Sequence, residues 1–257
     1  MSIAGKSGRQ RQRRREENMK HNTDLERLQE VIKYRFNDYG LLKHALTHSS
    51  YSNELKIKND GSNERLEFLG DAVLELISSE YLFNEHKNLN EGELTKLRAS
   101  MVCEPSLAFC AREIRLDEYI MLGKGEEGTG GRSRDSIISD ALEAVIGAIY
   151  LDGGFTAAKD FILNYVLNDL DSKKLFYDSK SILQEMLQAQ NIMPKYRITK
   201  ESGPEHCKIF EAEVFAENNE DRILGCGSGH NKKSAEQKAA YNAIVRLKES
   251  DQQTDLV

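Results

Sequence analysis

Two separated segments of the chain carry acidic residues at helical spacing. Glu64, Glu67 and Asp71 stand at positions i, i+3 and i+7, and Asp140 and Glu143 stand at i and i+3. Residues at these spacings share one face of an α-helix, so each segment predicts a row of carboxylates along a helix. Carboxylates in such a row can serve as ion-pair partners, as proton-transfer groups or as ligands of a cation.

The sequence around Asp140 and Glu143 favours cation binding. Apart from two serines, these are the only polar residues between positions 136 and 149, and a helix that is apolar nearly all round is buried. A buried carboxylate normally neutralises, pairs or binds a metal. Arg65 and Arg98 are candidate ion-pair partners, but two arginines cannot balance four acids. An all-oxygen donor set favours Mg²⁺ or Mn²⁺ over zinc.

Other polar residues fit structural roles when taken by themselves. Glu91 and Glu93 suit the acidic first turn of a helix. His44 and His48 have the spacing of a helical zinc site, but Ala45 stands where the H-E-x-x-H motif requires glutamate. We therefore expect the two histidines to be packing or supporting residues.

The elements that must position the acids are helices. Apolar residues recur at helical spacing almost throughout residues 21–171, with a helix break expected at 152–154, and alternation with period two is nearly absent before Tyr196. This pattern predicts an all-α domain over 21–171, followed by a polar linker at 172–177.

The pattern changes from residue 178 onward. An amphipathic helix is followed by three alternating segments, 196–199, 209–215 and 222–227, and by a final helix with an alanine-rich face. We predict a small α+β domain of α-β-β-β-α order over 178–250, with a tail at 251–257. Lys232 and Lys233 follow Asn231, a good N-cap, which predicts an anion site at a helix start; the preceding Gly227 and Gly229 would let a phosphate approach the backbone.

Charge is distributed unevenly along the chain. The net charge of −6 combines +5 in residues 1–20, −9 in 21–177 and −2 in 178–257. The basic segment 1–20 fits either a disordered tail or an arm that binds phosphates. The acidic segment 21–177 would repel nucleic acid unless cations lay between its carboxylates and the phosphates. No apolar run approaches a bilayer span, and the four cysteines form no C-x-x-C pair, so we expect a cytoplasmic protein with reduced thiols and no membrane partner.

The segment 63–71, NERLEFLGD, closely resembles the signature of the ribonuclease III family. The segments 44–48 (HALTH), 91–94 (EGEL) and 140–144 (DALEA) follow in the order and spacing of that family. The C-terminal part is similar to a double-stranded RNA-binding domain, through residues 183–185, 203–206 and 232–240.

This resemblance implies a homodimeric, Mg²⁺-dependent endoribonuclease that cuts both strands of double-stranded RNA, with Mn²⁺ able to substitute. Products would carry 5′-phosphates, 3′-hydroxyls and short 3′ overhangs, and precursor rRNA, with other structured transcripts such as mRNA and tRNA precursors, would be the substrates. By position, the resemblance implies that the metal ligands are Glu67, Asp71, Asp140 and Glu143, and that Asp71 and Glu143 among them are catalytic. It implies that Glu64 and Glu91 are supporting acids. The RNA-binding residues that it implies are Gln184, Glu185, His206, Asn231, Lys232 and Lys233.

Two alternatives belong to other functional classes. A binding protein that kept both domains and lost its chemistry would be expected to have a broken acid set, whereas all four positions are intact here. A Mg²⁺-dependent nucleotide phosphohydrolase would not need the C-terminal domain, and release of phosphate or pyrophosphate from nucleotides would identify it.

Overall fold

The structure is a computed structural model that describes residues 25–56, 61–168, 175, 178–189, 191–203, 208–229 and 231–254. The chain forms two compact units, one mainly from residues up to Asn168 and the other mainly from the C-terminal residues. The predicted arm 1–20 and His206 lie outside the described residues, as does all of the predicted linker 172–177 except Leu175.

The first unit is helical, as predicted. Within its described residues the only β pairing is an isolated bridge between Thr47 and Met121. Its helices are α1 (25–31), α2 (Tyr39–Ala45), α3 (Ser49–Glu54), α4 (Glu64–Glu85), α5 (Glu91–Met101), α6 (Glu104–Glu113), α7 (Lys124–Gly128) and α8 (Asp135–Tyr165), with a 3₁₀ turn at Leu116–Glu118. A second 3₁₀ turn, Gly131–Ser133, groups with the second unit.

The core of this unit is built around α8. Its apolar side chains from Ile137 to Ile149 are buried, and it packs against α4, α6 and α2. Among the described residues, α8 is the helix whose length and hydropathy would suit a membrane span. Here that composition serves a core helix, and Gly154 interrupts it with a φ of 78°, at the predicted break.

The second unit has the predicted α-β-β-β-α order. It consists of α9 (Ser179–Gln188), β1 (Pro194–Ser202), β2 (Ile209–Ala216), β3 (Asn219–Gly229) and α10 (Lys232–Thr254), and the strands form an antiparallel sheet of order β1-β2-β3. Buried residues from the sheet and both helices, including Leu183, Val214 and Ala239, form its core. Helix α10 continues into the predicted tail because no glycine or proline stops it before Thr254.

Candidate metal centre and nucleic-acid interface

The carboxylates predicted from the two acidic segments meet between α4 and α8. Glu67 on α4 and Asp140 and Glu143 on α8 each offer a carboxylate oxygen, and these atoms all lie within 4.8 Å of one another. All three side chains are partly buried. Three of the four predicted ligands therefore form one group, which we call the carboxylate cluster.

Two glycines allow the helices to approach closely enough for this meeting. A Cβ atom on Gly70 of α4 would lie 1.8 Å from the carbonyl oxygen of Glu143, and one on Gly147 of α8 would lie 2.2 Å from the carbonyl oxygen of Leu66. No side chain fits at either position, so the two backbones are in contact where they cross. That contact brings Glu67 opposite Glu143.

The acids of the carboxylate cluster repel one another. Burial raises the pKa of Glu143 to about 8, with repulsion from Asp71, Asp140 and Glu67 adding to the effect. Burial also raises the pKa of Glu67, again with contributions from neighbouring acids. These carboxylates therefore resist simultaneous ionisation unless a positive charge lies among them.

Asp71 and Asp140 follow the same trend. Burial and then Glu75 raise the pKa of Asp71, while burial and then Glu104 raise the pKa of Asp140, with His48 opposing that rise. Asp71 lies outside the carboxylate cluster itself but close enough to repel Glu143 and Glu67. The fourth predicted ligand therefore borders the group formed by the other three.

Among the described residues, none of the four carboxylates forms an ion pair with lysine or arginine. Arg98, one of the two arginines considered as a partner, donates to Ser79 Oγ at 2.7 Å. The donor set is all oxygen, partly buried and short of positive charge, which fits a hard divalent cation such as Mg²⁺.

The two predicted supporting acids occupy different places. Glu64 begins α4, accepts a hydrogen bond from Ser62 Oγ at 2.9 Å and contributes to the raised pKa of Glu67. Glu91 begins α5, where its carboxylate accepts from Thr95 Oγ1 at 3.3 Å, and it lines a cavity between α4 and α5. Glu64 thus lies beside the carboxylate cluster, whereas Glu91 is not among the electrostatic neighbours of the four acids in the described part of the chain.

In the second unit, α9 exposes two of the predicted RNA-binding residues. Leu183 and Leu187 are buried in the core, while Gln184 and Glu185 are exposed on the opposite side. The helical period therefore presents this polar pair to solvent.

The start of α10 has the predicted cap. Asn231 Oδ1 accepts a hydrogen bond from the backbone N–H of Ser234 at 2.8 Å, and Lys232 and Lys233 are exposed on the first turn. A capped helix start with two exposed ammonium groups is compatible with the predicted anion site, which stays a prediction.

The glycines before this helix have a packing role that the sequence did not predict. A Cβ on Gly227 would lie 2.3 Å from the backbone nitrogen of Ala239, and one on Gly229 would lie 2.1 Å from Ser234 Oγ. Both positions face α10, so strand–helix packing requires glycine there, and the close approach of a phosphate stays a prediction.

Comparisons with known proteins agree with this architecture. The family model described as "Ribonuclease-III-like" matches residues 38–170, and the "Double-stranded RNA binding motif" matches residues 179–247. Ribonuclease 3 of Caldanaerobacter subterraneus is 48% identical over 224 residues, which cover 86% of this chain and 96% of that protein. The chain belongs to the ribonuclease III family. It is a ribonuclease that carries a double-stranded RNA-binding domain.

Other family members agree in extent and in structure. Ribonuclease 3 of Oceanobacillus iheyensis is 46% identical over 230 residues, which cover 88% of this chain and all of that protein. A solved structure of the nuclease domain of ribonuclease III from Campylobacter jejuni is 47% identical to this chain, with a TM-score of 0.52. The match covers 55% of this chain and 95% of the Campylobacter chain, whose structure was described for flexibility in a region involved in dimer formation. Since the family has this nuclease domain, the helical unit is the nuclease part of the chain.

Sequence reasoning missed two contributors to the carboxylate cluster. Gly147 and Glu104 both influence it, the first through helix crossing and the second through the pKa of Asp140. Gly147 could have been noticed as the one glycine between positions 136 and 149, one turn after Glu143. Glu104 comes from another element, and no spacing rule connects it with Asp140. His48, which we expected to be a packing or supporting residue, also affects the pKa of Asp140.

Proposed function

We propose that this ribonuclease III family member is a Mg²⁺-dependent endoribonuclease that hydrolyses both strands of double-stranded RNA. The observation that carries the proposal is the carboxylate cluster, which forms no ion pair with lysine or arginine among the described residues and lies in the same chain as a double-stranded RNA-binding domain. We extend the proposal to products with 5′-phosphates, 3′-hydroxyls and short 3′ overhangs, and to precursor rRNA and other structured transcripts in the cytoplasm.

The residues that would hold the cation are Glu67, Asp71, Asp140 and Glu143. When bound, Mg²⁺ supplies a more acidic water and neutralises charge on the phosphate and the leaving 3′-oxygen. The protein's part is to hold the carboxylates of Glu67, Asp140 and Glu143 near one another, which the backbone contact of α4 and α8 at Gly70 supports. Burial raises the pKa of Glu143 to about 8, and a cation held there would favour the ionised carboxylate.

The second unit would hold the duplex. Side chains cannot read the deep, narrow major groove of A-form RNA, so specificity for a duplex rests on shape, 2′-hydroxyls and phosphates. Gln184 and Glu185 would contact one minor groove, and Lys232 and Lys233 would contact phosphates across the major groove. Sequence preference is therefore expected to be weak.

We further propose that the protein is a homodimer that associates through α4 and α5. Phe68, Leu76 and Phe83 of α4 are 80%, 59% and 74% exposed, which is unusual for large apolar side chains on one helix. A cavity of about 470 Å³ lies between α4 and α5 and is lined by Ser79, Leu82, Phe83, Glu91, Leu94, Thr95 and Arg98. Two copies would provide one active site for each RNA strand.

The dimer proposal predicts that Phe68→Glu yields monomers, measured by light scattering on a sizing column, because a charge would be buried in the interface. Leu55→Glu, at an exposed apolar residue of the α3 C-cap, is the control and should stay dimeric. A wild-type mass equal to one chain would contradict the proposal.

The nuclease proposal is tested with long duplex RNA in Mg²⁺, compared with single-stranded RNA and with EDTA. Glu143→Ala should abolish cleavage yet bind duplex in Ca²⁺ like the wild type, because the second unit is intact. Glu85→Ala, at the exposed end of α4, should retain activity. Loss of cleavage and of binding together in Glu143→Ala would refute this division of roles.

Removal of residues 178–257 separates the two units. The remaining helical unit should cleave duplex RNA at low salt with weakened binding, because it keeps every proposed metal ligand. A fragment that is folded but inert in Mn²⁺ at low salt would contradict the assignment of catalysis to the first unit.

A further inference from the structure

The connection between α2 and α3, residues 46–48, holds the start of α4. Its backbone pairs with Met121, whose N–H donates to Leu46 O at 2.8 Å and whose carbonyl accepts from His48 N at 3.1 Å. The backbone N–H of Asn63 donates to Thr47 O at 2.8 Å. The residue that immediately precedes α4 is therefore tied to this connection.

His44 secures the neighbouring residue. Its Nε2 lies 2.7 Å from the carbonyl oxygen of Ser62, and because a carbonyl oxygen only accepts hydrogen bonds, Nε2 carries the proton. Ser62 and Asn63 are thus both held, one by the His44 side chain and the other by the Thr47 backbone. Asn63 O in turn accepts from the N–H of Glu67 at 2.9 Å, so the held residues lead directly into the turn that carries Glu67.

Helix α2, which carries His44, is fixed to the helix that carries the other ligands. It packs against α8, and the Asp152 carboxylate accepts from Asn37 N at 2.9 Å and Asp38 N at 2.8 Å, just before α2 begins. A path of packed and hydrogen-bonded groups therefore runs from α8 through α2 and His44 to the start of α4.

We propose that His44 is a positioning residue for the metal centre: by donating to Ser62 O, it sets the start of α4 and so the place of Glu67 relative to Asp140 and Glu143. The proposal rests on the cation site of the proposed function. Groups that orient ligands without touching the metal change metal affinity by about 10- to 100-fold when removed. His44 acts through the backbone, so the lower end of that range is expected.

The test measures Mn²⁺ binding to the full-length protein without RNA, by electron paramagnetic resonance of free Mn²⁺. His44→Leu removes the donor, and we expect affinity to fall about tenfold. His44→Gln places an amide N–H near the Nε2 position and should restore affinity to within about twofold of the wild type. His86→Leu, at the opposite end of α4, is the matched control and should bind like the wild type.

A merely structural role gives a different result. If His44 only stabilises the fold, His44→Leu lowers the melting temperature while Mn²⁺ affinity, measured well below that temperature, equals the wild-type value, and the proposal is overturned. If the His44→Leu protein does not fold, His44→Asn is used in its place, because the shorter asparagine side chain cannot reach Ser62. If His44→Asn then binds Mn²⁺ with the same affinity as His44→Gln, the proposal is overturned. Failure of the wild type to bind Mn²⁺ would instead refute the cation site itself.

Discussion

Replacing Glu143 by glutamine tests whether the carboxylate cluster is destabilised by its own charge when no cation is bound. Burial, together with Asp71, Asp140 and Glu67, raises the pKa of Glu143 from 4.5 to about 8. At about 1.4 kcal/mol for each tenfold change in proton affinity, ionising Glu143 would cost the folded state up to about 5 kcal/mol. Because the side chain keeps some access to water, which screens the repulsion, we expect about 2 kcal/mol.

The sign of the effect depends on pH. A carboxyl whose pKa is raised by folding binds its proton more tightly in the folded protein, so this stabilisation is present below the ordinary pKa of 4.5 and is lost as pH rises through about 8. In EDTA, Glu143→Gln should therefore become more stable than the wild type with rising pH, by about 2 kcal/mol near pH 9. Glutamine keeps the shape of the side chain and removes the charge.

Urea unfolding followed by far-ultraviolet circular dichroism measures this difference, since the chain contains no tryptophan. Glu85→Gln, at the exposed end of α4, should follow the wild type at every pH. Mg²⁺ should reverse the order of stability, because it binds the folded wild type more tightly than the variant. A Glu143→Gln protein that is no more stable than the wild type at high pH in EDTA would refute the electrostatic reasoning.

Three further predictions follow from the same contacts. Gly70→Ala should lower the free energy of unfolding in urea by about 3 kcal/mol, because its Cβ would lie 1.8 Å from a carbonyl oxygen of α8, whereas Gly92→Ala, with its nearest atom at 3.4 Å, should be tolerated. Asp152→Ala should cost about 2 kcal/mol in the same assay at neutral pH, because the carboxylate accepts two backbone N–H groups and a tyrosine hydroxyl. Burial opposes the ionisation of Asp152, but those hydrogen bonds lower its pKa. The loss of stability in Asp152→Ala should therefore disappear at a pH low enough to protonate this carboxyl in the folded wild type. A loss of stability that persists at that pH would contradict the role given to the carboxylate. Replacing Lys232 and Lys233 together by alanine should weaken duplex binding in Ca²⁺ and reduce the slope of log affinity against log salt by about two in a mobility-shift series, and an unchanged slope would exclude phosphate contacts.

The sequence was informative where one element suffices to define a feature. Helical period alone predicted that Glu67 and Asp71 share one helix face and that Asp140 and Glu143 share another. Alternation and turn residues likewise predicted the order of the second unit. These features depend on local backbone geometry, which a short stretch of residues specifies.

Features that depend on two elements were less accessible. The packing role of Gly227 and Gly229 was not predicted because the helix that packs on them is not evident from the strand sequence. The hydrogen bond between His44 and Ser62 joins residues that are separated along the chain, and no sequence pattern at either residue predicts the contact. Such contacts depend on how elements pack, and packing responds to shape across the whole core.

By itself, the sequence determined which side chains share a face and that buried acids need a positive partner. Only the tertiary structure decided that α4 and α8 cross at Gly70 and Gly147, so that three carboxylates meet while Asp71 stands beside them. The physical reason is that residue period fixes the direction of a side chain within its helix, whereas the distance between two helices depends on the atoms that fill, or leave empty, the space where they cross.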